Sequence, residues 1–115
     1  MTVSIYHNPR CSKSRATLAL LEERNIDPTI IAYLETPPTK SALKQVINAL
    51  GIAPRDLLRK GEQPYKDLNL SDPGISDAEI LDAMLAHPIL IERPIVINGD
   101  RAAIGRPPES VLDIL

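Results

Sequence analysis

The stretch Thr2-Val3-Ser4-Ile5-Tyr6-His7-Asn8-Pro9-Arg10-Cys11-Ser12-Lys13-Ser14-Arg15 decides how this chain is read. Thr2 to Tyr6 reads as a strand, and Arg15 to Arg24 reads as a helix. The turn between them holds Cys11, the one cysteine of the chain. A helix start presents unpaired backbone N–H groups and a partial positive charge. Both favour a thiolate over a thiol, so the Cys11 pKa is expected to fall. The same N–H groups can hold an oxyanion. Cysteine is more commonly a small buried residue. Here no apolar side chain stands between Pro9 and Ala16, and the neighbours are basic, so a reactive sulfur is the better reading.

Working outward, the first helix carries Ala16, Leu18, Leu20 and Leu21 as its apolar content and is expected to end near Asn25. Thr29 to Leu34 reads as a second strand, which completes a right-handed parallel β-α-β unit. Pro37-Pro38 closes that unit. Thr39 can cap a helix with Leu43, Val46, Ile47 and Leu50 at helical spacing, stopped by Gly51. Ala53 to Lys60 reads as a short helix, and Gln63 to Leu70 is ambiguous. Ser76-Asp77-Ala78-Glu79 is a capping-box pattern that opens a helix ended by His87-Pro88. Ile95–Ile97 and Ala102–Ile104 flank Asn98-Gly99-Asp100-Arg101, a hairpin signal. A short last helix follows Pro107-Pro108. The expected fold class is α/β, with a mixed four-stranded sheet flanked by helices and a helical insertion between the βαβ and ββα units.

The 115 residues are enough for one domain that buries roughly two thirds of its unfolded surface. One cysteine permits no internal disulfide, and a free thiol suits a reducing, cytoplasmic setting. No charged leader with an apolar run follows Met1, and no apolar run has the length of a membrane span, so neither export nor a membrane is expected. A formal net charge of −2, three Tyr and no Phe or Trp argue against nucleic acid as a partner. No His, Cys or carboxylate cluster has metal-ligand spacing, so no metal is expected. The scattered glycines form no phosphate loop.

Five segments together resemble one known family. They are Tyr6-His7-Asn8-Pro9-x-Cys11-x-x-Ser14-Arg15, Tyr33-Leu34-Glu35-Thr36-Pro37, Leu57-Leu58-Arg59-Lys60, His87-Pro88-Ile89-Leu90-Ile91-x-Arg93-Pro94-Ile95-Val96 and Arg106-Pro107. In this order and spacing they are similar to the glutaredoxin-dependent arsenate reductases of the ArsC family, which have a thioredoxin-like fold. The resemblance implies a single arsenate reductase domain over residues 1–115, with the helical insert at about 37–92. It implies Cys11 as the nucleophile on arsenate, and Arg59, Arg93 and Arg106 as the arginines that bind the oxyanion. His7 matches a residue that helps lower the pKa of the nucleophile, with Ser14 and Pro94 in supporting places. In thioredoxin-like folds the bond before the proline at position 94 is usually cis and faces the active cysteine. The reductants implied are external: glutathione attacks the arsenic adduct, and glutaredoxin resolves the mixed disulfide. No bound cofactor is expected.

The residue types suit that chemistry. Arsenate is a tetrahedral anion, and arginine offers a rigid fork of donors for it. Several cations are needed to bring a thiolate and an arsenate dianion within bonding distance. Taken singly, Arg59 beside Lys60 also reads as a helix terminus and Arg106 as an exposed loop charge. His7 also reads as an ordinary polar residue at a strand end. Ser14 stands where dithiol proteins carry a second cysteine, so exogenous thiol must finish any redox cycle. Two other functions share the pattern in part. Regulators of the Spx type bind RNA polymerase on this fold, usually with a C-x-x-C switch that Ser14 removes. A glutathione-dependent thiol reductase of another substrate would keep Cys11 but have no need of three arginines.

Overall fold

Alternating apolar residues make Val3–Tyr6 the strand β1, with Ile5 and Tyr6 buried. In the computed structural model, which describes residues 2–115, the chain forms two compact units. One runs to Thr36 and resumes over Arg93–Leu115; the other is Pro37–Glu92.

The first unit contains β1, α1 (Ser12–Glu23), β2 (Thr29–Ile31), β3 (Ile95–Asn98) and β4 (Arg101–Ile104). The sheet order is β2-β1-β3-β4. β1 runs parallel to β2, with Ile5 opposite Ile30. It runs antiparallel to β3, with Ile5 opposite Val96, and β3 runs antiparallel to β4. This is the mixed sheet of a thioredoxin-like fold. The β3–β4 hairpin turns through Gly99 and Asp100, with Asn98 opposite Arg101 and Gly99 at φ 66. A positive φ at the first of two central residues is where hairpin turns use glycine.

Several elements differ from the sequence expectation. α1 begins at Ser12 rather than Arg15, because Cys11 itself is the N-cap, with extended φ −95 and ψ 123. β2 ends at Ile31, not Leu34. The Ala32 carbonyl accepts from the N–H groups of Glu35 and Thr36, which turns the chain, and Tyr33 stacks on Tyr6 with ring centroids 5.8 Å apart. The C-terminal helix is 3-10 over Pro108–Ile114. Its end is held to the hairpin by Asn98 Nδ2 on the Ile114 carbonyl at 2.7 Å and Arg101 on the Asp113 carbonyl at 2.7 Å.

α1 ends in a Schellman motif. Asn25 has φ 59, its N–H reaches the Glu22 carbonyl, and the Ile26 N–H reaches the Leu21 carbonyl. The buried stripe of α1 is Ser14, Thr17 and Leu21, so its inner face is polar near the start and apolar further on. The Leu-rich reading of this helix missed that. Leu21 joins Ile5, Val96, Val111 and Ile114 in the core of this unit, with Leu18, Leu20 and Ile26 packed against them.

The second unit holds α2 (Lys40–Leu50), α3 (Gln63–Asp67) and α4 (Asp77–Ala86). The Thr39 hydroxyl accepts from the Ala42 N–H at 3.1 Å, and Gly51 at φ 70 ends α2. The expected helix over Ala53–Lys60 is only a 3-10 turn, Pro54–Leu57. Leu58 leaves it to pair with Ile91, where the Arg59 N–H reaches the Leu90 carbonyl at 2.8 Å and the Glu92 N–H reaches Leu57 at 2.9 Å. The ambiguous Gln63 to Leu70 resolves into α3 followed by Asn69 at φ 52. The Arg55 guanidinium donates to the carbonyls of Leu70, Asp72 and Ile75 at 2.9, 2.6 and 2.7 Å, which fixes the segment between α3 and α4. Among the described residues no helix is long and apolar enough to cross a membrane.

The capping box of α4 is complete. The Ser76 hydroxyl accepts from the Glu79 N–H at 3.2 Å, and the Glu79 carboxylate accepts from the Ser76 N–H at 3.5 Å. Replacing Ser76 by Ala is expected to cost about 1 kcal/mol. Urea unfolding should show it as a lower midpoint at unchanged slope.

Candidate active site

The sulfur of Cys11 sits over the first turn of α1. It is half-buried, and burial by itself raises the pKa of a thiol. That is the largest single influence on Cys11, but several others together outweigh it. The backbone N–H groups of Ser14 and Lys13, and the guanidinium of Arg93 by both its donors and its charge, favour the thiolate. The net effect is a thiol pulled below its ordinary range. Arg106 approaches from a third direction, with Nη2 3.6 Å from Sγ.

The turn that presents the sulfur is rigidly tied. Asn8, which is buried, accepts the Cys11 N–H on its backbone carbonyl at 3.0 Å and the Arg10 N–H on Oδ1 at 3.0 Å. Arg15 reaches back to the Pro9 carbonyl at 2.8 Å. Ser14 is fully buried, and its hydroxyl oxygen accepts the Asn8 N–H at 3.0 Å. It also meets His7 Nδ1 at 2.6 Å. Burial, and then the charge of Arg15, lower the His7 pKa, which favours the neutral ring at neutral pH. Which of the two groups donates is set by the tautomer of the ring. His7 thus meets the turn through Ser14.

Arg93 and Arg106 arrive from the two ends of the β3–β4 hairpin. The Arg93-Pro94 bond is cis, as expected, and Arg106-Pro107 is cis as well. Arg106 Nε donates to the Arg93 carbonyl at 2.8 Å, so one arginine's backbone aims the other's guanidinium. Arg59 belongs to the second unit. There its Nε meets Glu62 at 3.2 Å and its Nη1 meets Glu92 at 2.6 Å. The burial of Arg59 works against its charge, but the two carboxylates more than offset this and its pKa is raised. Of the side chains singled out in the sequence, the first unit thus gathers Cys11, Arg93 and Arg106 at the sulfur, with His7 and Ser14 behind the turn. Pro94 lies at the foot of β3, its carbonyl accepting the Gly105 N–H at 2.9 Å. Sequence reasoning gave no role to Asn8, although Asn-Pro is a turn signal. It also passed over Thr17 and Gly105.

A strand-to-helix turn with a guanidinium-bound sulfur can be compared with known proteins. The sequence model of the ArsC family matches residues 6–114. An arsenate reductase of Haemophilus influenzae is 53% identical over 116 residues, covering 100% of this chain and 100% of that protein. An arsenate reductase of Rhizobium meliloti is 49% identical over 115 residues, covering 100% of this chain and 82% of that protein. The solved structure of an arsenate reductase from Vibrio cholerae has a TM-score of 0.97 to this one at 53% identity, covering 100% of this chain and 98% of that one. In sequence, sheet order and the setting of its cysteine, this chain belongs to the ArsC family.

Proposed function

We propose that this chain is an arsenate reductase that works through Cys11 with glutathione and glutaredoxin as reductants. The observation that carries the reading is the Cys11 sulfur at the N-cap of α1 with Arg106 Nη2 at 3.6 Å, and with the Arg93 guanidinium favouring its thiolate. This is a thiolate beside donors suited to a tetrahedral oxyanion. The family, and relatives named arsenate reductase at about half identity, support the same substrate.

In this reading the thiolate forms a sulfur–arsenic bond and hydroxide leaves with a proton as water. Arg93 and Arg106 carry the charge of the adduct. Glutathione then supplies the second sulfur. As the Cys11–glutathione disulfide forms, two electrons pass to arsenic(V), which leaves as arsenite. A glutaredoxin thiol reduces that mixed disulfide and returns Cys11. The chain has one cysteine, so no internal thiol replaces the external one. The family pattern adds Arg59 as a third arginine for the oxyanion. A cytoplasmic location suits the free thiol and its reductants. Exchange with a neutral disulfide would leave two guanidinium groups at the sulfur without a use.

The test is arsenite release by the purified chain with arsenate. Turnover is expected with glutathione and glutaredoxin together, falling to a single equivalent or less when both are withheld. Undiminished turnover without them would overturn the proposed reductants, and no turnover with them would overturn the substrate.

A further inference from the structure

Gly105 lies between β4 and Arg106 and is buried. A Cβ at this position would come within 2.5 Å of Thr17 Oγ1, 2.7 Å of Pro94 Cγ and 3.2 Å of Thr17 Cγ2. These neighbours cannot easily step aside. Thr17 is fully buried, and its hydroxyl donates to the Lys13 carbonyl at 2.8 Å. Lys13 lies in the first turn of α1, and its backbone N–H favours the Cys11 thiolate. Pro94 is buried, and its carbonyl takes the Gly105 N–H at 2.9 Å. The missing side chain therefore sits where three parts of the site meet: the first turns of α1, the Arg93-Pro94 entry to β3, and the start of Arg106.

We propose that Gly105 is a positioning residue, whose lack of a side chain lets Arg106 close on the Cys11 sulfur by seating the end of β4 directly on Thr17 and Pro94. A methyl group there drives the end of β4 off α1. The Arg106 guanidinium starts at the next residue and moves with it, losing its 3.6 Å approach to Sγ. The oxyanion role of Arg106 rests on the reading above; its position at the sulfur does not. The test accordingly uses no arsenate.

Cys11 is alkylated by iodoacetate, an anion, and by iodoacetamide, which is neutral. In each case the sulfur displaces iodide. The ratio of the two rates at low ionic strength reads the positive charge at the sulfur. Gly105→Ala is expected to lower this ratio by about threefold or more, the order of effect of withdrawing one unit charge from about 4 Å in a watery setting. Arg106→Ala is expected to lower it similarly, and the double variant Gly105→Ala with Arg106→Ala no further than Arg106→Ala alone. Lower stability by itself would not produce that non-additivity. A native ratio in Gly105→Ala, or a full second loss in the double variant, overturns the proposal. If Gly105→Ala does not fold, Thr17→Ala with Gly105→Ala removes two of the three close atoms. It is expected to fold and to keep more than half of the native ratio. A ratio there as low as that of Arg106→Ala, or failure of this variant to fold as well, assigns Gly105 to the fold alone and ends the proposal.

Discussion

Replacing Cys11 with serine should reduce arsenite formation at least about 10³-fold, while leaving the fold as stable as before or slightly more so. The loss follows because a hydroxyl in this turn stays protonated, and oxygen gives arsenic no electron pair to accept in a disulfide-forming step. The stability follows from the local geometry. Cys11 is the N-cap of α1, and its side chain makes no ordinary cap bond. Serine is among the best N-caps, and the N–H groups of Lys13 and Ser14 that now face sulfur would face its hydroxyl. The stability difference also depends on pH. The folded thiol has a lowered pKa, so thiolate formation stabilises the native chain fully above the unfolded value of about 8.5, and this contribution is lost as pH falls through the folded value. Relative to Cys11→Ser, the native chain should thus gain stability from acid to alkaline conditions. The two readouts are arsenite formation and denaturant midpoints at several pH values. Equal turnover by both proteins would end the assignment of Cys11 as nucleophile.

Arg93→Ala should have the next largest effect, lowering kcat/KM for arsenate about 10²–10³-fold, the range seen when one preorganised donor to a developing charge is removed. Its guanidinium acts on the sulfur both as a hydrogen-bond donor and as a charge. The same substitution should raise the pH midpoint of iodoacetamide alkylation, because burial still disfavours the thiolate while one of the groups opposing it is gone. Arg93→Lys should fall between, keeping a charge but losing the planar fork. Its backbone carbonyl would still aim Arg106, so the lysine variant separates the loss of the Arg93 side chain from a general collapse of the site. An unchanged alkylation midpoint in Arg93→Ala would remove this arginine from the thiolate cradle.

Much of the fold was legible because its signals are local. Thr39, Gly51 and Ser76 with Glu79 each act within a few residues through a cap and work as read, and the hairpin forms where Asn98-Gly99 signalled it, one residue on, with Gly99-Asp100 as its turn. The misreadings arose where distant backbone took over. Leu58 left its helix for a bridge to Ile91, and the inner face of α1 begins with Ser14 and Thr17 before it reaches Leu21. In the second case polarity misled, since both hydroxyls are satisfied by the turn and helix around them.

From its residues alone the chain is bound to have one cysteine sulfur, no internal disulfide partner for it, and a helix start on which that sulfur rests. Those are matters of composition and of contacts between near neighbours. Which cations meet the sulfur was decided only by tertiary structure. Cys11 and Arg106 stand 95 positions apart and are brought to 3.6 Å by the pairing of β1, β3 and β4. Arg59, far from Glu92 in sequence, likewise meets that carboxylate only through the fold of its own unit. For Arg106 it is the register of β3 and β4 that sets this neighbour, and that register is not encoded within a few residues of the arginine itself.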